Sequence, residues 1–434
     1  MRTPMVRSSP GRCERLTAAT RLVLLAGVFV ALAVHPFAAR ASTPGIDRSV
    51  TAIPASVLLA SSPQSLLDPR RQNAALRLRA FERPLFIGWV GPQLLALLWL
   101  WRSGGGARLR DAIRRRIAAT FWMRFLYAAA LTYLAALASL PALLVRYRVD
   151  VAFGTTLETP GAWLRDTVVN ATVDAVVVGV IVASIFALVD RTRLWYAYAT
   201  VGLFLVTLLM AFVEPITIAP LYNRFTPLPA HARIRVPLDA LAARAGIRDA
   251  PIYIADLSRR SHSVTADIAG FGPTKRIVLG DALLADATPG EVLFVAAREF
   301  GHYAHGDDFR LSLLWTFLFI FATALAVVIA DRVSFRRDDD ALARLSLVFV
   351  FMGVIGLALV PVYNAYSRNI ESRADAYALY LTHDRASAIR AYVRIADDTL
   401  VPLCPSRAAR LYFSNSPPVG TRIAKAGGHR NPCP

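Results

Sequence analysis

The sequence predicts a mainly α protein: a multi-span helical membrane protein with a small α+β domain inserted between its spans. Three observations predict it. Hydrophobic residues make up 55% of the 434 residues, and the mean hydropathy is +0.44, too apolar for an ordinary soluble chain. Five or six apolar runs then have the length and composition of membrane spans, at about 85–101, 119–145, 167–189, 194–218, 311–330 and 345–366. Finally, one long polar block, 219–310, holds two short apolar runs that read as strands, 251–256 and 276–280, between helical stretches at 236–246 and 289–306.

Taken in order, residues 1–41 have the form of a signal peptide or an N-terminal anchor. Arg2, Arg7, Arg12 and Arg15 precede a short apolar core, Leu22 to Val34, which is followed by Pro36 and by Ala39-Arg40-Ala41. Cleavage after Ala41 is preferred over an uncleaved anchor because the core is short for a spanning helix. Residues 42–218 form an N-terminal membrane domain of about four spans, opening with a mixed segment, 42–83, outside the bilayer. The polar domain at 219–310 follows, then two spans within 311–366 and a tail, 367–434, outside the bilayer.

Charge sets the orientation. Lysine and arginine number 49 against 30 acidic residues, a net charge of +19, and all the basic residues but Lys275 and Lys425 are arginine. Much of this charge lies in short loops between spans: Arg102, Arg108, Arg110 and Arg114 to Arg116, then Arg191 and Arg193, then Arg332, Arg336, Arg337 and Arg344. Counting off the spans puts these loops on one side, which the positive-inside rule makes cytoplasmic. The polar domain and the tail are then extracytoplasmic, in a bacterial inner membrane. This distribution leaves no basic surface to argue for nucleic acid. Cys404 and Cys433 lie beyond the last span, where they would pair in an oxidising compartment or stay as two free thiols. The run Asp338 to Asp340 reads as a solvated loop, and Glu214 equally as a buried functional carboxylate or as an interfacial residue beside the helix-ending Pro215.

The chemistry centres on Thr288 to Asp308. Thr288, Pro289 and Glu291 are a capping-box start with proline at the first helical position. On the helix that follows, Arg298, Glu299 and His302 fall at i, i+1 and i+4. That is the frame of the HExxH zinc helix, with two histidines on one face and a glutamate as general base, except that arginine takes the first histidine's place. A zinc hydrolase needs three protein ligands and an open position for water. Just past the last span, Glu371 and Asp375 at i, i+4 provide one carboxylate for metal and one to orient a ligand.

Four separated stretches now resemble the integral-membrane zinc metalloproteases of the CAAX prenyl protease, a-factor-converting, type. They are Pro220 to Leu228, Gly270 to Leu279, the helix at 298–302 and the Glu371/Asp375 helix, and the resemblance runs from about 64 to 426. It implies a zincin-like metallopeptidase domain and an endopeptidase that acts on membrane-associated peptides or membrane proteins. In that assignment Glu299 is the catalytic base, His302 and Glu371 bind zinc, and Asp375 supports a ligand.

Several positions depart from the family pattern. Arg298 replaces a ligand histidine. Thr265 and Asp267 stand where relatives carry Asn and an aromatic on the substrate-binding edge, and Ser416 stands where many carry a histidine. Arginine has donors but no lone pair for a cation and keeps its charge. It is expected to pair with Glu299 or Glu371 instead. Two readings follow: a pseudoprotease with an impaired site that still binds peptide, or an active zinc endopeptidase that recruits a substitute ligand, with His305 and His262 as candidates. Zinc-helix spacing argues against His305, and His35, His231, His383 and His429 have no motif context. A transporter is disfavoured because the polar motifs lie outside the spans.

Overall fold

The computed structural model describes residues 49–433 apart from 248–249, 271–273 and 335–339. The signal segment, Cys13, the centre of the 270–279 motif and Arg336 to Asp339 lie outside the described residues, as does the Glu214 side chain.

The helices in chain order are α1 (Ala55–Ala60), α2 (Pro69–Arg102), α3 (Gly105–Arg114), α4 (Thr120–Phe153), α5 (Pro160–Arg191) and α6 (Trp195–Thr217), which leads into a short turn of helix ending at Tyr222. The inserted domain holds β1 (Phe225–Pro227), α7 (Arg235–Arg244), β2 (Ile252–Ala255), β3 (Ala266–Ala269), β4 (Arg276–Gly280), α8 (Asp281–Asp286) and α9 (Pro289–His305). Then come α10 (Asp307–Ser334), α11 (Leu345–Thr382), α12 (Arg385–Asp398), α13 (Arg407–Phe413) and α14 (Val419–Gly427).

Six of the described helices, α2, α4, α5, α6, α10 and α11, are long and apolar enough to cross a membrane. Several exceed what a bilayer needs. About 20 residues span the hydrocarbon core, whereas α11 has 38 residues and no break. Its outer turns therefore project past the bilayer and carry Glu371 and Asp375 into the polar domain. Helix α2 likewise starts at Pro69, well before the apolar run at 85, because Ala74, Ala75 and Leu78 have a packing surface in Val149, Phe153 and Leu400. Asp68 caps it by accepting from the Arg70 backbone N–H at 2.8 Å.

The three basic loops share one end of the bundle. Arg110 pairs with Asp340 at 2.5 Å, joining the first loop to the third, and Arg124 at the start of α4 pairs with Asp190 at the end of α5 at 2.6 Å. The opposite end holds everything else. The loop after α4 touches the inserted domain through Leu157 N–H donating to the Arg260 carbonyl at 2.7 Å and through Glu158 with Arg260 at 2.9 Å.

The sheet has the order β1-β2-β4-β3, with β2 and β4 parallel and both outer strands antiparallel to their neighbours. Its two inner strands are the runs visible in the sequence. Strands β1 and β3, three and four residues long, are too short to show a period, and β3 is left as an edge. The apolar core lies between this sheet, α9, α12 and α14, with Leu279, Phe294, Phe300 and Tyr392 among its buried members. Val50, Leu58 and Leu67 belong to it too. The segment before α2 is thus a wall of the domain, tied by Arg390 to the Ile53 carbonyl at 2.8 Å.

Cys404 and Cys433 form a disulfide that closes a loop of sequence separation 29 around α13 and α14. Loop closure of that length is worth about 3–4 kcal/mol in the chain-entropy account.

Candidate functional site

Helix α9 starts as its residues dictate. The Glu291 backbone N–H donates to the Thr288 hydroxyl, and the Thr288 backbone N–H donates to the Glu291 carboxylate at 2.8 Å. Glu291 is fully buried and is neutralised by Arg394 of α12 at 2.9 Å. Ten residues beyond Glu291, Gly301 brings α9 against α11: a Cβ there would stand 3.2 Å from the Ala374 Cα and the Tyr377 Cβ. This contact turns Arg298, Glu299 and His302 toward Glu371 and Asp375. The helix stops at Gly306, whose φ of 62° suits a residue without a Cβ.

A cavity of about 200 Å³ opens there, lined by Arg298, Glu299, His302 and Glu371 with Asp267, Asp308 and apolar neighbours. Its centre is the Arg298 guanidinium. Nη1 donates to Glu299 Oε1 at 2.5 Å, Nη2 donates to Glu371 Oε2, and Nε lies 3.5 Å from Asp375 Oδ1. One cation therefore touches three carboxylates. Desolvation works to lower its pKa, but Glu299, Glu371 and Asp375 outweigh that and hold it above the ordinary arginine value. Burial pushes the Glu299 carboxyl up, and Arg298 only partly offsets the shift.

His302 is oriented from behind. Its Nδ1 is 3.1 Å from Asp307 Oδ2, and Asp307, fully buried, is in turn held by Arg373 at 2.7 Å. The other ring nitrogen points at Glu371 Oε1, 3.6 Å away. That is close to the separation of about 3.3 Å between two tetrahedral zinc ligands at ordinary bond lengths. Asp375 accepts both Nε and Nη2 of Arg422 at 2.8 and 2.6 Å, and the Arg422 guanidinium stacks 4.4 Å from the Tyr392 ring centroid.

The donor set does not fit zinc as it stands. His302 and Glu371 could serve as two ligands, but the third direction is filled by a guanidinium. Among the described residues no group of three His, Cys, Asp or Glu side chains could hold a metal ion. Neither histidine candidate joins the site: His305 Nδ1 lies 2.7 Å from its own helix at the Gly301 carbonyl with its ring against Tyr377, and His262 does not line the cavity. Asp267 does line it, from the edge strand β3. Thr265 sits one strand-end away, its carbonyl accepting from the Gly280 N–H at 2.9 Å. The Ser416 hydroxyl is 3.5 Å from Asn415 and outside the lining.

Sequence reasoning missed Asp307, Arg373 and Arg422. Asp307, directly after the cap glycine and five residues from His302, is within local reach. Arg422, 47 residues from Asp375, leaves no local trace.

Comparison with known proteins agrees with this architecture. Residues 85–224 match the model of the CAAX prenyl protease N-terminal region of five membrane helices, and residues 230–429 match that of peptidase family M48. The uncharacterized metalloprotease YhfN of Bacillus subtilis is 26% identical across 86% of this chain and 89% of its own. A CAAX prenyl protease 1 homolog of Arabidopsis thaliana is 26% identical across 76% of this chain and 79% of its own. The crystal structure of S. mikatae Ste24p superposes with a TM-score of 0.72, covering 93% of this chain and 98% of that one at 20% identity. The two models together span the membrane helices and the inserted domain, and the chain therefore belongs to the membrane-embedded metalloproteases of the CAAX prenyl protease type, within peptidase family M48.

Proposed function

We propose that this chain is a pseudoprotease of its family: a membrane scaffold that binds peptides or membrane-protein segments at the zincin-like site without hydrolysing them efficiently. The observation that carries the reading is the single guanidinium of Arg298 against Glu299, Glu371 and Asp375. A protein cation there satisfies carboxylates that a metal would otherwise engage. Without a metal, water keeps its high bulk pKa, far above that of metal-bound water, and the Glu299 carboxylate is a poor base toward it. The exposed edge of β3 remains open for an extended peptide to pair with. The substrate class follows the relatives named as CAAX prenyl proteases and takes the form of membrane-associated peptides.

Elemental analysis of the detergent-purified protein, equilibrated with zinc, is expected to find almost none bound, and a prenylated peptide is expected to bind equally well after Glu299→Gln. About one zinc per chain, lost in Glu371→Ala, would overturn the proposal in favour of an active endopeptidase with a substitute ligand.

In the same reading, the inserted domain faces the extracytoplasmic side of a bacterial inner membrane. Two independent features favour it. The basic loops gather at one end, and the disulfide lies at the other, where oxidising conditions would maintain it. A cysteine placed at Arg114 is expected to resist impermeant maleimide in intact cells and to react once the membrane is permeabilised. Labelling in intact cells would reverse the orientation.

A further inference from the structure

Helix α13 has no role in the site, yet its seven residues, RAARLYF, are anchored with care. Asn364 of α11 donates to the Leu411 carbonyl at 2.9 Å, and Arg368 Nη1 donates to the carbonyls of Arg410 and Ser414 at 2.8 and 2.7 Å. Arg83 of α2 reaches the Ser406 hydroxyl at 3.4 Å, and Phe413 meets Phe86 edge-on with centroids 5.4 Å apart. The helix thus lies across α2 and α11 where each passes from arginine to apolar side chains, the level of the membrane surface. No residue of α13 is buried, and Leu411, Tyr412 and Phe413 are all exposed, as are Ile87 and Trp89 on α2.

The segment is basic. Arg83 and Arg368 contact it, Arg407 and Arg410 belong to it, and no Asp or Glu follows Asp398 in the sequence. The acidic residue nearest in sequence on α2, Glu82, is taken by Arg79 and by Arg146, the latter at 3.0 Å. Among the described residues neither Arg83 nor Arg407 has a carboxylate partner, and both are exposed. Bidentate guanidinium donors above a row of aliphatic and aromatic side chains match a phosphate above acyl chains.

We propose that α13 is an interfacial foot that binds an anionic glycerophospholipid, with Leu411, Tyr412 and Phe413 among the acyl chains and Arg83, Arg407 and their neighbours on the headgroup phosphate. The occupant is a lipid rather than a free anion because the arginines stand directly over the apolar side chains. The foot continues through Ser414 to Pro418 into α14, whose Arg422 holds Asp375, so the lipid fastens the last wall of the site.

Native mass spectrometry of the full chain from nanodiscs tests this, comparing phosphatidylglycerol with phosphatidylcholine. The unaltered protein is expected to retain phosphatidylglycerol preferentially, and Arg83→Gln/Arg407→Gln to retain it roughly thirtyfold more weakly, given the usual worth of two arginines at a charged membrane surface. Both positions are exposed, and an unchanged melting temperature in detergent would show that the variant folds. Arg407→Gln alone provides the same readout if the pair does not fold. Equal retention of both lipids, undiminished retention by the variant, or full displacement by inorganic phosphate in detergent would each overturn the proposal.

Discussion

Arg298→His is expected to convert a chain that binds almost no zinc into one that binds about one ion per chain. The rest of the donor set is already arranged. His302 lies one turn further along the same face, its tautomer held by Asp307 at 3.1 Å, and its free nitrogen is 3.6 Å from Glu371. Asp375 stays fixed by Arg422 after the guanidinium leaves and can receive the new imidazole N–H. Removing the arginine also removes a positive charge from the position the ion needs. Because metal that binds only the folded state stabilises it, zinc at a hundredfold excess over its dissociation constant should add about 2.7 kcal/mol. Elemental analysis and a zinc-dependent rise in melting temperature check the expectation, and adding Glu371→Ala should abolish both. A variant that stays metal-free would mean that more than one side chain closes the site.

Much of this arrangement was legible in the residues because it depends on short-range rules. The six spans follow from length and apolarity, the start of α9 from Thr288, Pro289 and Glu291, and the pairing of Arg298 with its neighbouring carboxylates from the chemistry of a guanidinium that cannot ligate. What the sequence left unread depends on distant partners. Strand β1 is too short for periodicity and exists because β2 offers an edge to pair with, while β3, equally silent in its own pattern, is placed only through the family resemblance at Thr265 and Asp267. The wall formed by Val50, Leu58 and Leu67 becomes apparent only once α12 and α14 provide a surface for it. Arg422 reads as one more arginine among many until the disulfide-tied tail folds back over α11. The pairing of Cys404 with Cys433 was one of two open readings, and the fold resolves it by bringing their Cα atoms to 5.2 Å.

Removing the cation without replacing its chemistry is expected to be costly. Arg298→Leu leaves Glu299, Glu371 and Asp375 converging on an apolar side chain, with Arg422 still paired to Asp375 and the His302 ring 3.6 Å from Glu371. Breaking a fully buried ion pair from one side costs about 3–5 kcal/mol. That sets the upper bound for this half-buried cluster, and the loss is measurable by denaturant unfolding in detergent at neutral pH. The loss should depend on pH with a definite sign. Burial already pushes the Glu299 carboxyl above its ordinary value, and losing Arg298 removes the main charge opposing that shift. A carboxyl whose folded-state pKa is raised contributes stability below its unfolded pKa, about 4.3, and that contribution fades as pH rises through the folded value. The variant should therefore approach the unaltered protein in stability near pH 4 and fall behind as the pH climbs toward neutrality. Glu371→Gln in the same chain should restore part of the loss, because the two substitutions remove opposite ends of one contact, with a coupling of about 1 kcal/mol or more. A loss that is the same at every pH and untouched by Glu371→Gln would instead assign the effect to packing of the arginine stem. That outcome would leave the three carboxylates without need of a cation and would remove the physical basis for treating Arg298 as the metal's stand-in.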